Sequence, residues 1–250
     1  MGFSKFSIPF CLLSFAALLL PQVVYGILNP IMHICSTPYH NPNDAFATNL
    51  KQLMTSLSQI VPGSGYGRVS LGQNSDKVYG IALCTGNIRN QQCKTCLDDA
   101  GSEIITRCPS NKKAIIWYDD CMLKYSDQEF YGRVDLGNEL HQCNLRRITR
   151  SYRYKFAMAR LSLFDILMTR IHENPNLYAA ESVEMASSTT TNVKIYGFVQ
   201  CSRDISTQRC RECLGRICER LRHTCYESLG GKYLTGSCSV RYELYPFAHA

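Results

Sequence analysis

Five cysteines of this chain recur at one fixed offset. Cys84, Cys93, Cys96, Cys108 and Cys121 are followed 117 residues later by Cys201, Cys210, Cys213, Cys225 and Cys238. Both sets therefore read C-x8-C-x2-C-x11-C-x12-C. The intervening residues follow suit: Lys77-Val78-Tyr79-Gly80 precedes Cys84 as Lys194-Ile195-Tyr196-Gly197 precedes Cys201. Cys121 to Tyr125 likewise matches Cys238 to Tyr242. Five spacings in register define an internal duplication, so the chain must fold as two copies of one small cysteine-rich unit.

The N-terminus bears on the redox state of those cysteines. Lys5 supplies a positive start, Phe10 to Leu20 an apolar run, and Val24-Tyr25-Gly26 small residues at the minus-three and minus-one positions of a cleavage site. This is the pattern of a secretory signal peptide over residues 1–26. The run is shorter than the roughly 20 residues that span a bilayer, and no later segment is longer, so no membrane span is expected. The expected mature chain, 27–250, is soluble and secreted. Removing Cys11 leaves 13 of the 14 cysteines, which an oxidising compartment converts mainly to disulfides. The formal charge of +7 falls to +6 without Lys5. That modest excess favours acidic polymers or anionic surfaces without implying a nucleic-acid protein. No N-x-S/T sequon occurs.

Hydrophobic spacing sketches each unit. In the first, over 27–129, Asn43-Asp44 reads as a helix start, and Phe46, Leu50, Leu53, Leu57 and Ile60 follow at helical intervals. Gly-rich turns lead to a strand over 77–84. A second helix carries Cys93, Cys96, Leu97, Ala100 and Ile104, and strands surround Cys121. After a linker at 130–141, the second unit over 142–250 repeats this order. Phe156, Leu163, Leu167 and Ile171 mark its first helix, a Ser/Thr stretch at 187–191 a surface loop, 194–201 a strand, and 210–221 its second helix. The expected class is α+β: two tandem disulfide-rich domains, each with two helices packed on a small antiparallel sheet.

The doubled C-x8-C-x2-C signature behind a signal peptide resembles the plant cysteine-rich repeat secretory proteins, whose unit is the ginkbilobin-homologous domain. The closing run from Arg241 to Phe247 resembles the family's ending. The same double unit forms the ectodomains of cysteine-rich receptor-like kinases and plasmodesmata-located proteins. This sequence stops where those continue into a membrane helix, so it resembles the free secreted branch. The resemblance implies the pairings Cys35–Cys108, Cys84–Cys93 and Cys96–Cys121, then Cys143–Cys225, Cys201–Cys210 and Cys213–Cys238. Cys218 is left unpaired, either as a buried thiol or as the half of an intermolecular disulfide. Ginkbilobin-like proteins bind mannose through three polar positions. The second unit has Asn144, Lys232 and Glu243 there, Lys232 standing for an arginine. The first unit has Ser36, Ile115 and Ser126, which lack the necessary groups. An amide, a cation and a carboxylate can together clamp the hydroxyls of a sugar, although lysine lacks the planar fork of arginine.

Other chemistry is poorly represented. The C-x-x-C pairs at Cys93/Cys96 and Cys210/Cys213 lie too far apart for a zinc module, with 114 residues from Cys96 to Cys210. No H-E-x-x-H pair, G-x-S-x-G elbow or P-loop occurs, and neither enzyme activity, metal nor cofactor is expected. Asp98-Asp99 and Asp119-Asp120 read as surface charge, and Trp117 as packing of the first unit. Arginines 203, 209, 211, 216, 220 and 222, with 146, 147, 150 and 153 and Lys155, form either a solvated face or a patch for acidic pectin, anionic lipid or an acidic receptor surface. The expected function is non-catalytic apoplastic binding of mannose-type or cell-wall carbohydrate, in defence or extracellular signalling. The alternative is an interaction module that associates with itself or with related receptor ectodomains. No nucleic-acid partner is expected.

Overall fold

The computed structural model describes residues 29–86, 88–185 and 193–247. The signal-peptide residues 1–26 and the Ser/Thr stretch 187–191 lie outside the described residues. Unit one runs β1 (Met32–Tyr39), α1 (Ala45–Ile60), β2 (Tyr66–Leu71), β3 (Val78–Cys84), α2 (Asn90–Arg107), β4 (Asn111–Trp117) and β5 (Cys121–Ser126). Unit two repeats it as β6 (Glu139–Cys143), α3 (Arg153–Glu173), β7 (Tyr178–Met185), β8 (Val193–Cys201), α4 (Thr207–Thr224), β9 (Gly231–Thr235) and β10 (Cys238–Glu243). Each unit holds a five-stranded antiparallel sheet, ordered β1-β4-β5-β3-β2 and β6-β9-β10-β8-β7. The sheets are therefore larger than the sequence pattern suggests. The stretch read as Gly-rich turns contains β2, and the linker at 130–141 overlaps β6.

Local chemistry explains the elements. Asp44 caps α1 by accepting from the Ala47 amide at 2.8 Å, as its place before the apolar run predicts. Ser206 caps α4 by accepting from the Arg209 amide. The two helices of each unit cover one sheet face. In unit one Phe46, Leu53 and Leu57 of α1 and Leu97 and Ile104 of α2 meet Val78, Ala82, Ile116 and Leu123. In unit two Phe156, Leu163 and Leu167 of α3 and Leu214 and Ile217 of α4 meet Ile195, Val199 and Val240. The repeated glycine has a packing cause. A Cβ on Gly80 would collide with Leu53, and one on Gly197 with Leu163, so each glycine opens a seat for the first helix.

Six disulfides fasten this layer, with the pairing implied by the family resemblance: Cys35–Cys108, Cys84–Cys93, Cys96–Cys121, Cys143–Cys225, Cys201–Cys210 and Cys213–Cys238. Three anchor each second helix to its sheet, and a bridge of this kind contributes about 2–4 kcal/mol.

The opposite sheet faces meet each other. Ile81, Leu83, Ile115, Trp117 and Met122 of unit one are buried with Leu234 of unit two, and Leu140 packs alongside. Strand β3 is consequently apolar on both faces, with Val78 and Ala82 toward the helices and Ile81 and Leu83 toward unit two. Polar contacts align the join. The Trp117 indole donates to the Thr235 carbonyl at 3.3 Å. The buried Gln200 amide donates to the Cys84 carbonyl at 2.9 Å and accepts from the Gly86 amide at 3.4 Å. The expected linker is itself packed: Tyr131 donates to the Val69 carbonyl at 2.7 Å, and the Asp135 amide donates to the Ser237 hydroxyl oxygen at 2.8 Å. Trp117 is thus a joint between units as well as a core residue of one.

Replacing Trp117 by alanine is expected to lower the unfolding free energy of the oxidised protein by about 3–5 kcal/mol, as for other buried tryptophans. Denaturant titration followed by far-ultraviolet circular dichroism measures this. An unchanged midpoint would show that the join does not depend on that side chain.

Candidate functional site

Alternation along the strands sends every second side chain of unit two's sheet away from its helices. Lys232 on β9 lies opposite Arg241 on β10 and Gln142 on β6, and Glu243 is two residues beyond Arg241 on the same face. Asn144 directly follows β6, and its amide donates to the Gly230 carbonyl at 2.9 Å. Gly230 is the local key to this face. A Cβ there would run into the Glu243 carboxylate, so the missing side chain makes the space that Glu243 occupies.

The three sequence-derived positions share this region with different partners. The Asn144 side-chain oxygen accepts from the Arg146 amide at 2.9 Å. Lys232 reaches Asp119 of unit one at 3.1 Å. Glu243 accepts through Oε1 from Arg241 at 3.4 Å, while its buried Oε2 has no hydrogen-bond partner among the described residues. Arg241, which the positional reading passed over, is the centre of the group. It also lies 3.4 Å from Asp119, donates to the Tyr245 hydroxyl oxygen at 3.0 Å, and stacks on Phe247 at 4.3 Å. The planar fork that Lys232 lacks is therefore present one strand away.

Unit one shows the same construction with other side chains. Lys124, the counterpart of Arg241 at the 117 offset, lies 4.7 Å from the ring of Phe130, the counterpart of Phe247. Ser36, Ile115 and Ser126 line a cavity of about 360 Å³ roofed by residues 128–138. Lys124 is committed to Asp135 there. Burial raises the affinity of Asp135 for a proton, but Lys124 and the Asn138 donors outweigh it and hold the carboxyl below its usual range. Between the units is a smaller cavity of about 50 Å³, bordered by Trp117, Gln200, Lys232 and Arg241. It has room for water and not for a hexose.

Several charges read as surface groups are tethers. Asp119 is 63% exposed yet joins Lys232 and Arg241 across the units. Burial, and then the charge of Asp119, raise the pKa of Asp120. Asp98 accepts from Lys94 at 2.8 Å and from Ser58. Arg203 donates to the carbonyls of Ser64 and Asn176, Arg209 to that of Gly132, and Arg220 pairs with Glu139. Arg153 and Arg147 share Glu227 at 2.5 and 3.6 Å. Much of the arginine cluster is thus spent on holding the fold together. Among the described residues no group of three or more metal-ligating side chains is assembled, and no helix is long and apolar enough to cross a membrane.

Cys218 is a free thiol buried in α4. Burial pushes it up to about 12, with Arg222 lowering and Asp165 raising it. Its counterpart in unit one is Gly101, where a Cβ would press on Met54.

The sequence and the fold match one group of proteins. The chain belongs to the salt stress response/antifungal family, whose pattern matches residues 34–128 and 142–245. It is 37% identical over 238 residues to an antimicrobial ginkbilobin-2-like protein of Castanea crenata, covering 95% of this chain and 96% of that one. It is 34% identical over 202 residues to cysteine-rich repeat secretory protein 38 of Arabidopsis thaliana, covering 81% and 78%. Among solved structures, the tandem DUF26 ectodomain of the Arabidopsis thaliana cysteine-rich receptor-like protein PDLP5 superposes with a TM-score of 0.71 at 22% identity. The match covers 87% of this chain and all of that one.

The buried thiol makes a direct prediction. Native protein at pH 8 should resist alkylation at Cys218 and run as a single chain on non-reducing gels, because the reactive thiolate is scarce well below a pKa of about 12. Denaturation of residues 27–250 without reductant should expose one alkylatable thiol, Cys218. Rapid native labelling would contradict the burial.

Proposed function

We propose that this protein is a secreted, non-catalytic carbohydrate-binding protein of the plant apoplast, recognising mannose-type or cell-wall sugars in defence or extracellular signalling. One observation carries the reading. Glu243 is more than nine-tenths buried, and its Oε2 has no hydrogen-bond partner among the described residues. A buried carboxylate oxygen without a donor is unfavourable by roughly 1–3 kcal/mol or more. Gly230 closes that oxygen off, so a sugar hydroxyl supplies the donor only once this turn opens, while Arg241 and Lys232 offer donors to the adjacent hydroxyl oxygens. Asn144 is tied to the same Gly230 turn by its backbone amide, which donates to the Gly230 carbonyl at 2.9 Å. Relatives add support: one is named for antimicrobial action and one as a secretory protein. The apolar run Phe10–Leu20 supports export.

The site couples the two units. Asp119 holds Lys232 and Arg241 from the unit-one side, so ligand recognition on unit two depends on the join. Unit one, with Ser36, Ile115 and Ser126, does not share this mode.

Glu243→Ala should weaken binding to manno-oligosaccharides by about 10- to 100-fold, the loss of a charge-assisted hydrogen bond. Gly230→Ala should do the same without removing any polar side chain, because its Cβ displaces the Glu243 carboxylate. Isothermal titration calorimetry on oxidised residues 27–250 measures both. Unchanged affinity in the two variants would remove this face from sugar recognition.

A further inference from the structure

The duplication provides an internal control for the surface of α3. Residues Phe46, Leu53, Met54, Leu57 and Val61 correspond, at an offset of 110, to Phe156, Leu163, Phe164, Leu167 and Ile171, and all ten are buried. The inward faces of α1 and α3 are therefore equivalent. Their outward faces differ. Where α1 carries Thr48, Lys51 and Ser56, α3 carries Met158, Leu161 and Ile166. Met158 is 48% exposed and Ile166 37%, and Tyr154, one turn before Met158, is 76% exposed. An open groove of about 670 Å³ runs along this stripe. A helix that is apolar on its solvent side has lost the ordinary pattern of a surface helix and marks a contact.

The charges on the stripe identify the occupant. Lys155, Asp165 and Glu173 lie on the same outward face, and none has an ion-pair partner among the described residues. The cation sits at the N-terminal end, and the two carboxylates lie toward the C-terminal end. We propose that this face pairs with a second copy of the chain, antiparallel, with the two-fold axis passing at Ser162. Residue n then faces residue 324 − n of the other copy, because helical angles invert about the axis. Met158 meets Ile166, and small, exposed Ser162 meets itself and permits close approach. Lys155 meets Thr169, with Asp165 and Glu173 one turn to either side, so Lys155 falls between two carboxylates, while Arg170 of the same groove is paired with Glu181. A parallel arrangement would set like charges together. The pairing is independent of the sugar site, which lies on the sheet of the same unit. Two facing helix stripes cover less than the roughly 1,200 Å² of a stable complex, so the dimer is weak and depends on concentration.

Sedimentation velocity on oxidised residues 27–250 tests this. The weight-average mass should rise from monomer toward dimer over roughly 10 μM to 1 mM. Ile166→Glu should weaken association at least tenfold. The decisive variants are Lys155→Glu and the double Asp165→Lys/Glu173→Lys. Each places like charges together and should remain monomeric alone. Mixed in equal amounts, they should associate, because each then presents the opposite charge pattern to the other. Their association on mixing shows that both fold. A monomeric parent across that range overturns the proposal and leaves the stripe to a different protein. Association unaffected by Ile166→Glu, or no association on mixing, overturns it equally.

Discussion

The burial of one sheet against the other is the constraint on which the remaining structure depends. Each sheet already carries two helices on one side, so the join leaves its central strands enclosed on both. This is why β3 is apolar at nearly every position and β4 over 114–117, and why Trp117 and Gln200 direct their polar atoms at backbone carbonyls of the other unit. A buried amide or indole without such partners would destabilise the join. Asp119 reaches across at the rim, and its contact with Lys232 and Arg241 sets the orientation of both cations. The candidate sugar site is accordingly a product of the pair of units, although its residues come from the second.

The two copies have kept their scaffold and diverged at their surfaces. The cysteine pairs, the helix-seating glycines Gly80 and Gly197, and the stacked pairs Lys124–Phe130 and Arg241–Phe247 occur in both. They hold the helices and the chain segment after the last strand. Ser126 and Glu243, Ile115 and Lys232, Gly101 and Cys218, and the outward faces of α1 and α3 differ. Duplication allows this separation: one copy retains a function while the other is free to acquire polar or apolar groups at positions that do not support the core.

Much of this was legible in the sequence, for identifiable reasons. The 117-residue register exposed the duplication, and helical spacing from Phe46 to Leu57 and from Phe156 to Ile171 located α1 and α3. The edge strands were not legible. Tyr66–Leu71 contains Gly67, Arg68 and Ser70, and Tyr178–Met185 contains Glu181 and Glu184, so neither shows the apolar run of a central strand. Edge strands face solvent on one side and tolerate such residues. Arg160 occupies a position on the inward face of α3 where spacing calls for an apolar residue. It is buried because its guanidinium meets the Cys225 carbonyl, at the negative end of α4, and the Tyr242 hydroxyl. At the candidate site, Asn144, Lys232 and Glu243 are implied by the family resemblance and have no signature in the repeat itself. The role of Arg241 follows from cross-strand pairing, and the reach of Asp119 follows from the join between units. Neither has a signature in spacing.

The proposed sugar site lies on the helix-free face of unit two's sheet, at the rim of the join with unit one, with the Glu243 carboxylate buried over Gly230. The most direct measurement is an NMR titration of uniformly nitrogen-15-labelled, oxidised protein with a manno-oligosaccharide. Saturable shifts are expected at the amides of Asn144, Gly230, Lys232, Arg241 and Glu243, with unit one's Ser36 and Ser126 unmoved. Saturable shifts centred on unit one, or no shifts at millimolar sugar, would contradict this site.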